Sequence, residues 1–411
     1  MIGATARLFP APGTLLFARR RADSPRSVDR RVLVNGIVRR ATGSDKIRVG
    51  VVGLGHWSEY GHLPSLKLLP DYELTAVYSR SPEKAAALVA RHGFRYAAAS
   101  LHDLVSHPEV DLVLVLTPAF QHEEGIRAAI GAGKDVYCEW PLTPNTALSK
   151  ALLALADKAG VRTIVGLQRR LNPGYRYVRD LLDQGEIGEI RSVRLHVSVE
   201  YFQRERPASL YYTIPEENFS SLLSIYGGHF LDALFTTLVG YPQSLSALTV
   251  NQFKEVTLRE TGETLPHSNP DQVVLAGTFA NGAVLTAHIE AGKRNNFGVQ
   301  LDMTGSKGDL KISNTTSFGD AFNRIQIARG DGQPLTELAI PAQYEWLPPS
   351  ERGASVLELA NLYAAHARDV KTGSTLAPTF ADAVRMHELM DRIVESDRTG
   401  RRIPLSFSTA G

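Results

Sequence analysis

Short apolar runs that alternate with helix-like segments constrain the fold of this chain more than any other feature. Strands are predicted at residues 47–54, 72–78, 110–117, 135–138 and 162–167. Helices are predicted between them, at 63–69, 82–92, 100–106, 123–132 and 146–159. This alternation is typical of a parallel sheet that helices cover on both faces. The sequence therefore predicts a doubly wound α/β domain over residues 46–167.

A different pattern begins after residue 167. A helix is predicted at 173–184, and β-rich runs follow at 190–201, 245–253, 272–280 and 283–290. Asn281–Gly282 lies between the last two of these runs and is a strong hairpin signal. Two further runs, at 300–304 and 309–312, flank a tight turn at Ser306-Lys307-Gly308. Helices are predicted at 355–371 and 380–396, with Thr379 as the N-cap of the second. These patterns predict an α+β domain at 168–400 with a largely antiparallel sheet, and a tail at 401–411.

The first 45 residues differ in composition from the rest of the chain. They contain nine arginines and three acidic residues. We interpret this leader as a disordered tail or an over-long start. An organellar targeting peptide and a basic interaction arm are the alternatives.

The composition of the whole chain argues against several classes of protein. The net charge is only +2, which does not indicate a nucleic-acid-binding surface. No apolar run approaches the roughly 18 residues that a membrane span needs. Cys138 is the only cysteine, which excludes an internal disulfide and a cysteine-based metal site. We therefore expect a cytoplasmic protein that binds neither nucleic acid nor membrane.

A glycine-rich turn follows the first predicted strand, at Gly53-Leu54-Gly55-His56-Trp57. Gly53 permits the tight turn, and Gly55 lets the backbone approach a pyrophosphate. Ser58 stands where the third glycine of the dinucleotide fingerprint usually lies. The N-terminus of the following helix favours a bound phosphate. The turn is predicted to bind a dinucleotide; a purely structural turn is the alternative.

Two residues after the second strand indicate which dinucleotide. An acidic residue there would bind the ribose 2′-hydroxyl of NAD, but this chain has Ser79 and Arg80. A hydroxyl beside a guanidinium suits a 2′-phosphate, so NADP is predicted over NAD. Alternatively, Arg80 stacks on the adenine or points into solvent.

Seven motifs occur in a fixed order along residues 46–400. They are Gly53-Leu54-Gly55, Thr117-Pro118 with His122, Gly133-Lys134-Asp135-Val136-Tyr137-Cys138-Glu139-Trp140-Pro141, Gln168-Arg169-Arg170-Leu171-Asn172-Pro173, Gly185-Glu186-Ile187-Gly188-Glu189-Ile190, Gly227-Gly228-His229-Phe230-Leu231-Asp232 and Gly305-Ser306-Lys307-Gly308. Together they resemble the glucose–fructose oxidoreductase / inositol dehydrogenase (Gfo/Idh/MocA) family. The resemblance implies a Rossmann domain that binds NAD(P) and a C-terminal domain whose open sheet builds homodimers or homotetramers. It places the active site between the two domains.

The resemblance also implies cofactor contacts beyond His56 and Trp57 of the turn. They are Thr117, Pro118, His122, Glu139, Trp140, Pro141 and Gln168. Glu139 follows a predicted parallel strand, at the end where such sheets bind ligands, and the resemblance implies that it lies near the nicotinamide ribose.

Two departures from the family pattern bear on catalysis. The family usually has Glu-Lys-Pro where this chain has Glu139-Trp140-Pro141, and the lysine assists proton transfer beside the nicotinamide. Trp140 cannot titrate and offers a single indole donor. Ile225 stands where an aspartate often precedes the active-site histidine. The Glu-Trp-Pro form resembles the branch that includes a yeast galactose-regulon repressor, a regulator that binds the dinucleotide.

His229 is the predicted proton-transfer group, since the resemblance places it in the active site and imidazoles titrate near neutral pH. Tyr226 could relay a proton and Asp232 could orient His229; packing and local capping are the alternatives. A metal site is not predicted, because no third ligand lies near His229 and Asp232 in the sequence. Substrate contacts are expected from Arg169, Arg170, Tyr211 and Tyr212, although salt bridges would explain the arginines equally well.

These features predict an NADP-preferring oxidoreductase whose small-molecule substrate is a sugar, polyol or related carbonyl compound. A non-catalytic, cofactor-sensing regulator that binds a protein partner is the main alternative, and Trp140 and Ile225 favour it. A further alternative is an enzyme that recycles its cofactor during elimination or hydrolysis of a sugar.

Overall fold

The computed structural model describes residues 46–295, 298–316 and 323–407, and the backbone of two short strands before them. Those strands, Arg31–Val34 and Ile37–Arg40, pair in antiparallel fashion. The rest of the predicted leader at 1–45, and residues 408–411 of the predicted tail, lie outside the described residues.

Six parallel strands form the first sheet. They are β1 (Ile47–Val52), β2 (Tyr72–Tyr78), β3 (Tyr96–Ala97), β4 (Leu112–Val115), β5 (Asp135–Cys138) and β6 (Thr163–Val165). Their order is β3-β2-β1-β4-β5-β6, the doubly wound order of dinucleotide-binding domains. All of β4 is buried, because helices cover both faces of the sheet. The predicted doubly wound α/β fold is confirmed.

Five helices connect these strands. They are α1 (Leu63–Lys67), which continues a π-helical turn at Ser58–His62, α2 (Pro82–His92), α3 (Leu101–Ser106), α4 (His122–Gly131) and α5 (Thr146–Ala159). The Ser81 hydroxyl caps α2 by accepting the N–H of Lys84, and Pro82 fills its first turn. Gly160 ends α5 in the left-handed conformation, at φ 65°. The sequence predicted these helices with small shifts at their ends.

The second half of the chain forms a large sheet and a small one. Their strands are β7 (Ile190–Ser198), β8 (Glu205–Arg206), β9 (Ser244–Val250), β10 (Glu255–Leu258), β11 (Thr264–Pro266), β12 (Gln272–Thr278), β13 (Val284–Glu290), β14 (Gly298–Gly305), β15 (Gly308–Asn314), β16 (Arg324–Arg329), β17 (Thr336–Leu338) and β18 (Ile403–Pro404). The large sheet has the order β17-β16-β15-β14-β7-β13-β12-β9-β18, and β8, β10 and β11 form the small sheet. Within the large sheet β7 and β13 pair in parallel and the other described pairs are antiparallel, which confirms the prediction.

Four helices belong to this half: α6 (Pro173–Asp183), α7 (Gly228–Asp232), α8 (Ala354–Thr372) and α9 (Phe380–Thr399). A capping box of Thr379 and Asp382 begins α9, as the sequence predicted for Thr379. Helix α8 packs on the first sheet, since Leu359 and Leu362 share an apolar cluster with Val49. Helix α8 thus belongs to the second half of the chain but packs on the sheet of the first half. The predicted boundary between the two domains, at residues 167 and 168, stays a prediction.

Helix α7 lies within a longer helical run that carries His229. The run Glu216–Val239 is long and apolar enough to cross a membrane, with a mean hydropathy of 1.3. However, 78% of its most apolar window is buried inside the protein. That burial is typical of a core helix, and it places His229 in the interior.

Candidate active site

A cleft of about 940 Å³ opens at the carboxyl ends of β1, β2 and β4. Its wall includes six of the residues predicted to contact a cofactor: Gly53, Gly55, Ser79, Arg80, Thr117 and Pro118. Strand order reverses between β1 and β4, so the loops diverge there and leave the crevice in which such sheets bind ligands. The cleft has the size of a ligand site.

The glycine-rich turn has the geometry that its sequence predicts. Gly53 adopts φ 96°, and a Cβ there would lie 2.8 Å from the carbonyl carbon of Leu116. Open space surrounds the Cβ position of Gly55, so the backbone is accessible from the cleft. The Ser58 hydroxyl donates to the Gly55 carbonyl at 2.8 Å, which ties the third fingerprint position to the turn.

Three cations line this cleft, and the sequence reasoning found only one of them. Arg80 was predicted; Lys84, in the first turn of α2, and Arg127, on α4, were not. Nε of Arg127 lies 2.7 Å from Glu123, which offsets part of its charge. The position of Lys84 four residues after Arg80, on the helix that follows β2, is the signal that could have identified it.

Seven other predicted cofactor contacts, among them Glu139, Trp140, Pro141 and Gln168, do not line this cleft. His122 is buried beneath it, with its ring nitrogens at the carbonyl oxygens of Thr117 and Leu142. His122 is the first residue of α4, and its ring connects the loop after β4 to the loop after β5 through these two carbonyl oxygens. His56 is exposed and stacks on Tyr60, and Trp57 packs against the backbone of Gly61. His122, His56 and Trp57 thus do not line the cleft, and their predicted contacts with a cofactor stay predictions.

Glu139 forms a buried network that the sequence did not predict. Its Oε1 lies 2.6 Å from Nε2 of His62 and accepts a hydrogen bond of 2.7 Å from the Tyr137 hydroxyl. Nδ1 of His62 lies 2.7 Å from the Tyr363 hydroxyl on α8. Burial acts to raise the pKa of Glu139, but attraction to His62 and these hydrogen bonds outweigh it and the pKa is lowered. The carboxylate is therefore charged at neutral pH.

His229 is 4% exposed and feels the charges of two neighbours. Burial lowers its pKa to about 3; the carboxylate of Glu139 opposes this shift, and the guanidinium of Arg169 adds to it. The imidazole is therefore neutral at pH 7 and has a nitrogen able to accept a proton.

Trp140 occupies the position of the usual lysine, and it packs rather than titrates. Its indole N–H donates to the Ser224 carbonyl at 2.7 Å, and its ring lies 5.0 Å from the ring of His387. A Cβ on Gly228 would overlap the indole nitrogen, so the ring presses on the backbone just before His229. Trp140 thus holds the start of α7 and uses its one donor inside the protein.

Asp232 and Arg170 are bound to each other. Nε of Arg170 donates to Asp232 at 2.8 Å, and Nη2 donates to its other oxygen. The Thr236 hydroxyl also donates to Asp232 at 3.1 Å, and Arg170 lies 3.2 Å from Asp382. These buried pairs favour the alternatives that the sequence left open: Asp232 bonds to Arg170, and Arg170 forms a salt bridge inside the protein. The predicted roles of Asp232 in orienting His229 and of Arg170 in substrate binding stay predictions.

Of the other three predicted substrate contacts, Arg169 and Tyr212 lie near His229 or Glu139, and Tyr211 is exposed. The guanidinium of Arg169 lies 4.1 Å from the ring centroid of Phe230 and acts on His229. Burial raises the pKa of Tyr212, and the charge of Glu139 raises it further, so Tyr212 is also near the site. Tyr211 is 51% exposed, and nothing in the structure brings it to His229.

Tyr226 lies one helical turn before His229. It is 5% exposed, and burial raises its pKa well above the ordinary value. The hydroxyl therefore keeps its proton at neutral pH and can act only as a donor or an acceptor of hydrogen bonds there.

Two aromatic residues of the segment 202–225 have a left-handed backbone, Phe202 at φ 59° and Phe219 at φ 50°. Such a conformation costs a bulky residue about 1–3 kcal/mol. The Phe202 ring meets Tyr226 edge-on at 5.7 Å, and Phe219 stacks on His387 at 5.1 Å. Packing against the site offsets the strain and fixes the segment beside α7.

Two family models match this chain in succession. One, described as an oxidoreductase family with an NAD-binding Rossmann fold, matches residues 47–167. The other, for the C-terminal domain of Gal80p, matches residues 173–314.

The chain is similar to both enzymes and regulators. It is 34% identical to dehydrogenase aclE of Aspergillus oryzae, over 66% of this chain and 77% of that protein. It is 27% identical to the galactose/lactose metabolism regulatory protein GAL80 of Saccharomyces cerevisiae, over 77% of this chain and 78% of that protein. The solved structure of levoglucosan dehydrogenase with NADH and L-sorbose has the same fold, with a TM-score of 0.77 and 20% identity over 88% of this chain and 100% of that one.

Proposed function

We propose, because this chain belongs to the Gfo/Idh/MocA oxidoreductase family with its NAD-binding Rossmann fold, that it is an NADP-preferring oxidoreductase of a sugar, polyol or related carbonyl compound. The observation that carries the proposal is the buried His229, on which the opposite charges of Glu139 and Arg169 both act. Glu139 lies at the end of β5, beside the strand β4 whose end forms the cofactor cleft.

The residues of the cleft fit a dinucleotide. Gly55 would receive the pyrophosphate, since open space surrounds its Cβ position, and Gly53 makes the tight turn before it. When bound, a nicotinamide cofactor supplies the hydride chemistry. The chain itself must then move a proton at the substrate oxygen and hold the substrate in place.

We assign that proton transfer to His229, whose lowered pKa makes it a weak base that depends on the carboxylate of Glu139. In its neutral form it accepts the hydroxyl proton during oxidation of a carbinol and returns it during reduction of a carbonyl. Arg169 disfavours a charged imidazole before reaction, whereas Glu139 stabilises the imidazolium while it holds the proton. Tyr226, with its proton retained, would orient the substrate oxygen by a hydrogen bond.

The preference for NADP is supported by the charges of the cleft. Arg80 and Lys84 flank the serine hydroxyls at the end of β2, where an NAD-specific site would place a carboxylate. We expect a dissociation constant for NADPH at least about tenfold below that for NADH, measured by quenching of protein fluorescence.

A substrate of the sugar class is supported by the polar and aromatic groups near His229. Arg169, Tyr212 and Tyr226 come from three segments of the chain and offer both hydrogen bonds and ring faces. The levoglucosan dehydrogenase structure contains L-sorbose, which makes a sugar the first class to test.

Turnover is the test of the proposal. With NADP the protein should oxidise, or with NADPH it should reduce, at least one member of a broad panel of sugars, polyols and their carbonyl derivatives. The absorbance of the reduced nicotinamide measures the reaction. His229→Asn should lower kcat by about 10²–10⁴ without changing cofactor affinity. His102→Asn, at an exposed histidine of α3, is the matched control. Full activity in His229→Asn would remove its assigned role.

A non-catalytic regulator is the second candidate, because Trp140 commits its only donor to Ser224. The regulatory protein GAL80 is a relative of similar coverage. This candidate is favoured if the protein binds NADP tightly but turns over nothing in the panel.

A homodimer or homotetramer in the cytoplasm completes the proposal. Leu248 and Val274 lie opposite each other in β9 and β12, and Val284 of β13 shares their face of the large sheet. They are 56%, 38% and 48% exposed, which supports an interface there. Light scattering should give a multiple of 44.9 kDa, and Val274→Lys should lower it.

A further inference from the structure

A second cleft, of about 840 Å³, lies between β7 and the small sheet and is rich in basic side chains. Its cations come from three separate parts of the chain: Arg204, Arg206, Arg259, Lys293 and Arg294. Two carboxylates, Glu200 and Glu205, also line it. Five cations against two anions in a concavity of ligand size are unusual for a solvated surface, because like charges repel unless something compensates them.

Backbone hydrogen bonds hold these three parts together. The N–H of Arg259 donates to the carbonyl of Arg206, and the N–H of Lys293 donates to that of Val199. Gly292 makes the turn before Lys293 at φ 70°, which a residue with a side chain would adopt only with strain. The convergence of the cations is therefore built into the backbone.

Arg206 contributes a buried charge to the floor of the basic cleft. Its side chain is held by neutral partners: Nε donates to the Gln203 carbonyl, Nη1 donates to the Thr213 hydroxyl at 2.9 Å, and Nη2 lies 3.2 Å from the His267 ring. Neutral acceptors satisfy its N–H groups, and the nearby carboxylate of Asp271 offsets part of its charge. The basic cleft thus keeps a positive potential that a bound anion would compensate.

The other ion pairs of the basic cleft are weak or incomplete. Arg204 is 3.7 Å from Glu255, with both side chains more than half exposed, and such pairs contribute little. Arg259 donates to a neutral carbonyl, that of Glu205. Lys293 is paired with Glu290 at 2.9 Å. At least Arg204 and Arg259 are available to an outside anion.

The basic cleft adjoins the proposed catalytic centre. Tyr201 and Phe202 line it, and their rings lie 6.2 and 5.7 Å from the ring of Tyr226. Tyr226 is one helical turn from His229. The rings of Tyr201 and Phe202 thus form the layer between the basic cleft and Tyr226, and a ligand that reaches His229 from the basic cleft would have to pass this layer.

We propose that the basic cleft binds the phosphate or carboxylate of the substrate, so that the enzyme acts on an anionic sugar derivative rather than on a neutral sugar. Arg204, Arg259 and Arg294 supply the contacts to the anionic group, and Arg206 supplies a fixed positive potential behind them. This inference rests on the proposed oxidoreductase function for the part of the ligand that reacts.

Binding of inorganic phosphate tests the cleft without any turnover. Isothermal titration of phosphate into the NADP-saturated protein, whose cofactor cleft is already filled, should show one saturable site. The double variant Arg259→Gln/Arg294→Gln should weaken it at least about tenfold, because hydrogen bonds between charged groups are strong. Both residues are exposed, so the variant should fold. Arg398→Gln/Arg402→Gln, two exposed arginines outside the basic cleft, is the matched control.

Unchanged phosphate binding in the cleft variant, or no saturable site in the native protein, overturns the inference. Kinetics then separate it from the proposed function. Glucose 6-phosphate or gluconate should have a higher kcat/KM than glucose, and the cleft variant should raise KM for the anionic compound while kcat stays unchanged. Equal kcat/KM for neutral and anionic compounds also overturns the inference but leaves an oxidoreductase. Phosphate binding with no turnover of any compound overturns the proposed function instead.

Discussion

The cofactor cleft and the surroundings of His229 lie at one edge of the same parallel sheet, but they are built in opposite ways. Backbone and solvent-reaching side chains such as Arg80 form the cleft. Around His229 the side chains bury one another: Trp140 is 5% exposed and Asp232 is fully buried. The cofactor cleft, which would bind phosphates through a turn, can be predicted from local sequence. The surroundings of His229 cannot, because the role of each side chain there depends on which buried group it pairs with.

The largest effect on stability is expected around His229, from removing one partner of the buried ion pair between Asp232 and Arg170. Asp232→Ala is expected to lower the free energy of unfolding by about 3–5 kcal/mol, because Arg170 then stays buried without its main counter-charge. Urea denaturation measures the loss, and Asp232→Leu/Arg170→Met should recover part of it. A loss below about 1 kcal/mol with a large fall in kcat would instead place Asp232 in catalysis.

A methyl group added beneath Trp140 should have the next largest effect. Gly228→Ala is expected to lower the free energy of unfolding by about 1–3 kcal/mol, because its Cβ would overlap the indole. Gly227→Ala is the matched control, since its Cβ would meet only the end of Leu223, at 3.2 Å. Adding Trp140→Leu should relieve the first variant. Equal losses in the two glycine variants would show that the indole does not press on α7.

The stack around His387 should make stability depend on pH. The ring is fully buried between Trp140 and Phe219, and neither ring nitrogen has a hydrogen-bond partner among the described residues. Burial lowers its pKa to about 3. In the unfolded chain a histidine takes up a proton below about pH 6.5, and the folded state does so only near pH 3. Stability is therefore complete above pH 6.5 and falls as pH drops through this window.

His387→Leu should flatten that loss by up to about 1.4 kcal/mol per pH unit between pH 6.5 and 4, measured by urea denaturation at several pH values. It should also raise stability at neutral pH, because no unpaired ring nitrogen remains buried. His102→Leu, at an exposed histidine, should change neither quantity. An unchanged pH profile in His387→Leu would show that the imidazole is solvated.

The smallest effect is expected from a substitution in the cofactor cleft, the more open of the two regions compared. Arg80→Ser should raise the dissociation constant for NADP about tenfold and leave that for NAD nearly unchanged, because it removes a contact to the 2′-phosphate alone. Fluorescence titration with both cofactors measures it, and the protein should remain as stable as the native chain. An equal loss for NAD and NADP would mean that Arg80 stacks on the adenine.

Much of the fold could be predicted because its signals are local. The continuous apolar runs, Gly160 at the end of α5, Thr379 at the start of α9 and Asn281–Gly282 in the hairpin all act over a few residues. The sequence reasoning missed β3, β8, β10, β11 and β16–β18. Most of these strands are only two to four residues long, and pairing with neighbours rather than their own pattern makes them strands.

The candidate site was only partly predictable. Gly53, Ser79, Arg80 and Thr117 line the cleft as expected, since each lies within two residues of the end of a strand. His62 was missed, because a histidine among apolar residues of a helix has no local mark of its bond to Glu139. Lys293 and Arg259 were missed for the same reason, because the other cations of the basic cleft lie in distant segments of the chain.

The sequence by itself determined the doubly wound sheet, the glycine-rich turn and the family, because strand burial, φ at Gly53 and motif order are properties of neighbouring residues. Only the tertiary structure decided the partners of the charged groups. It bound Asp232 to Arg170, joined His62 to Glu139 and packed Trp140 on Gly228, and these pairings separate residues that bind ligands from residues that hold the site together. A buried charge or donor takes its role from the group that satisfies it, and that group is set by folding rather than by position in the chain.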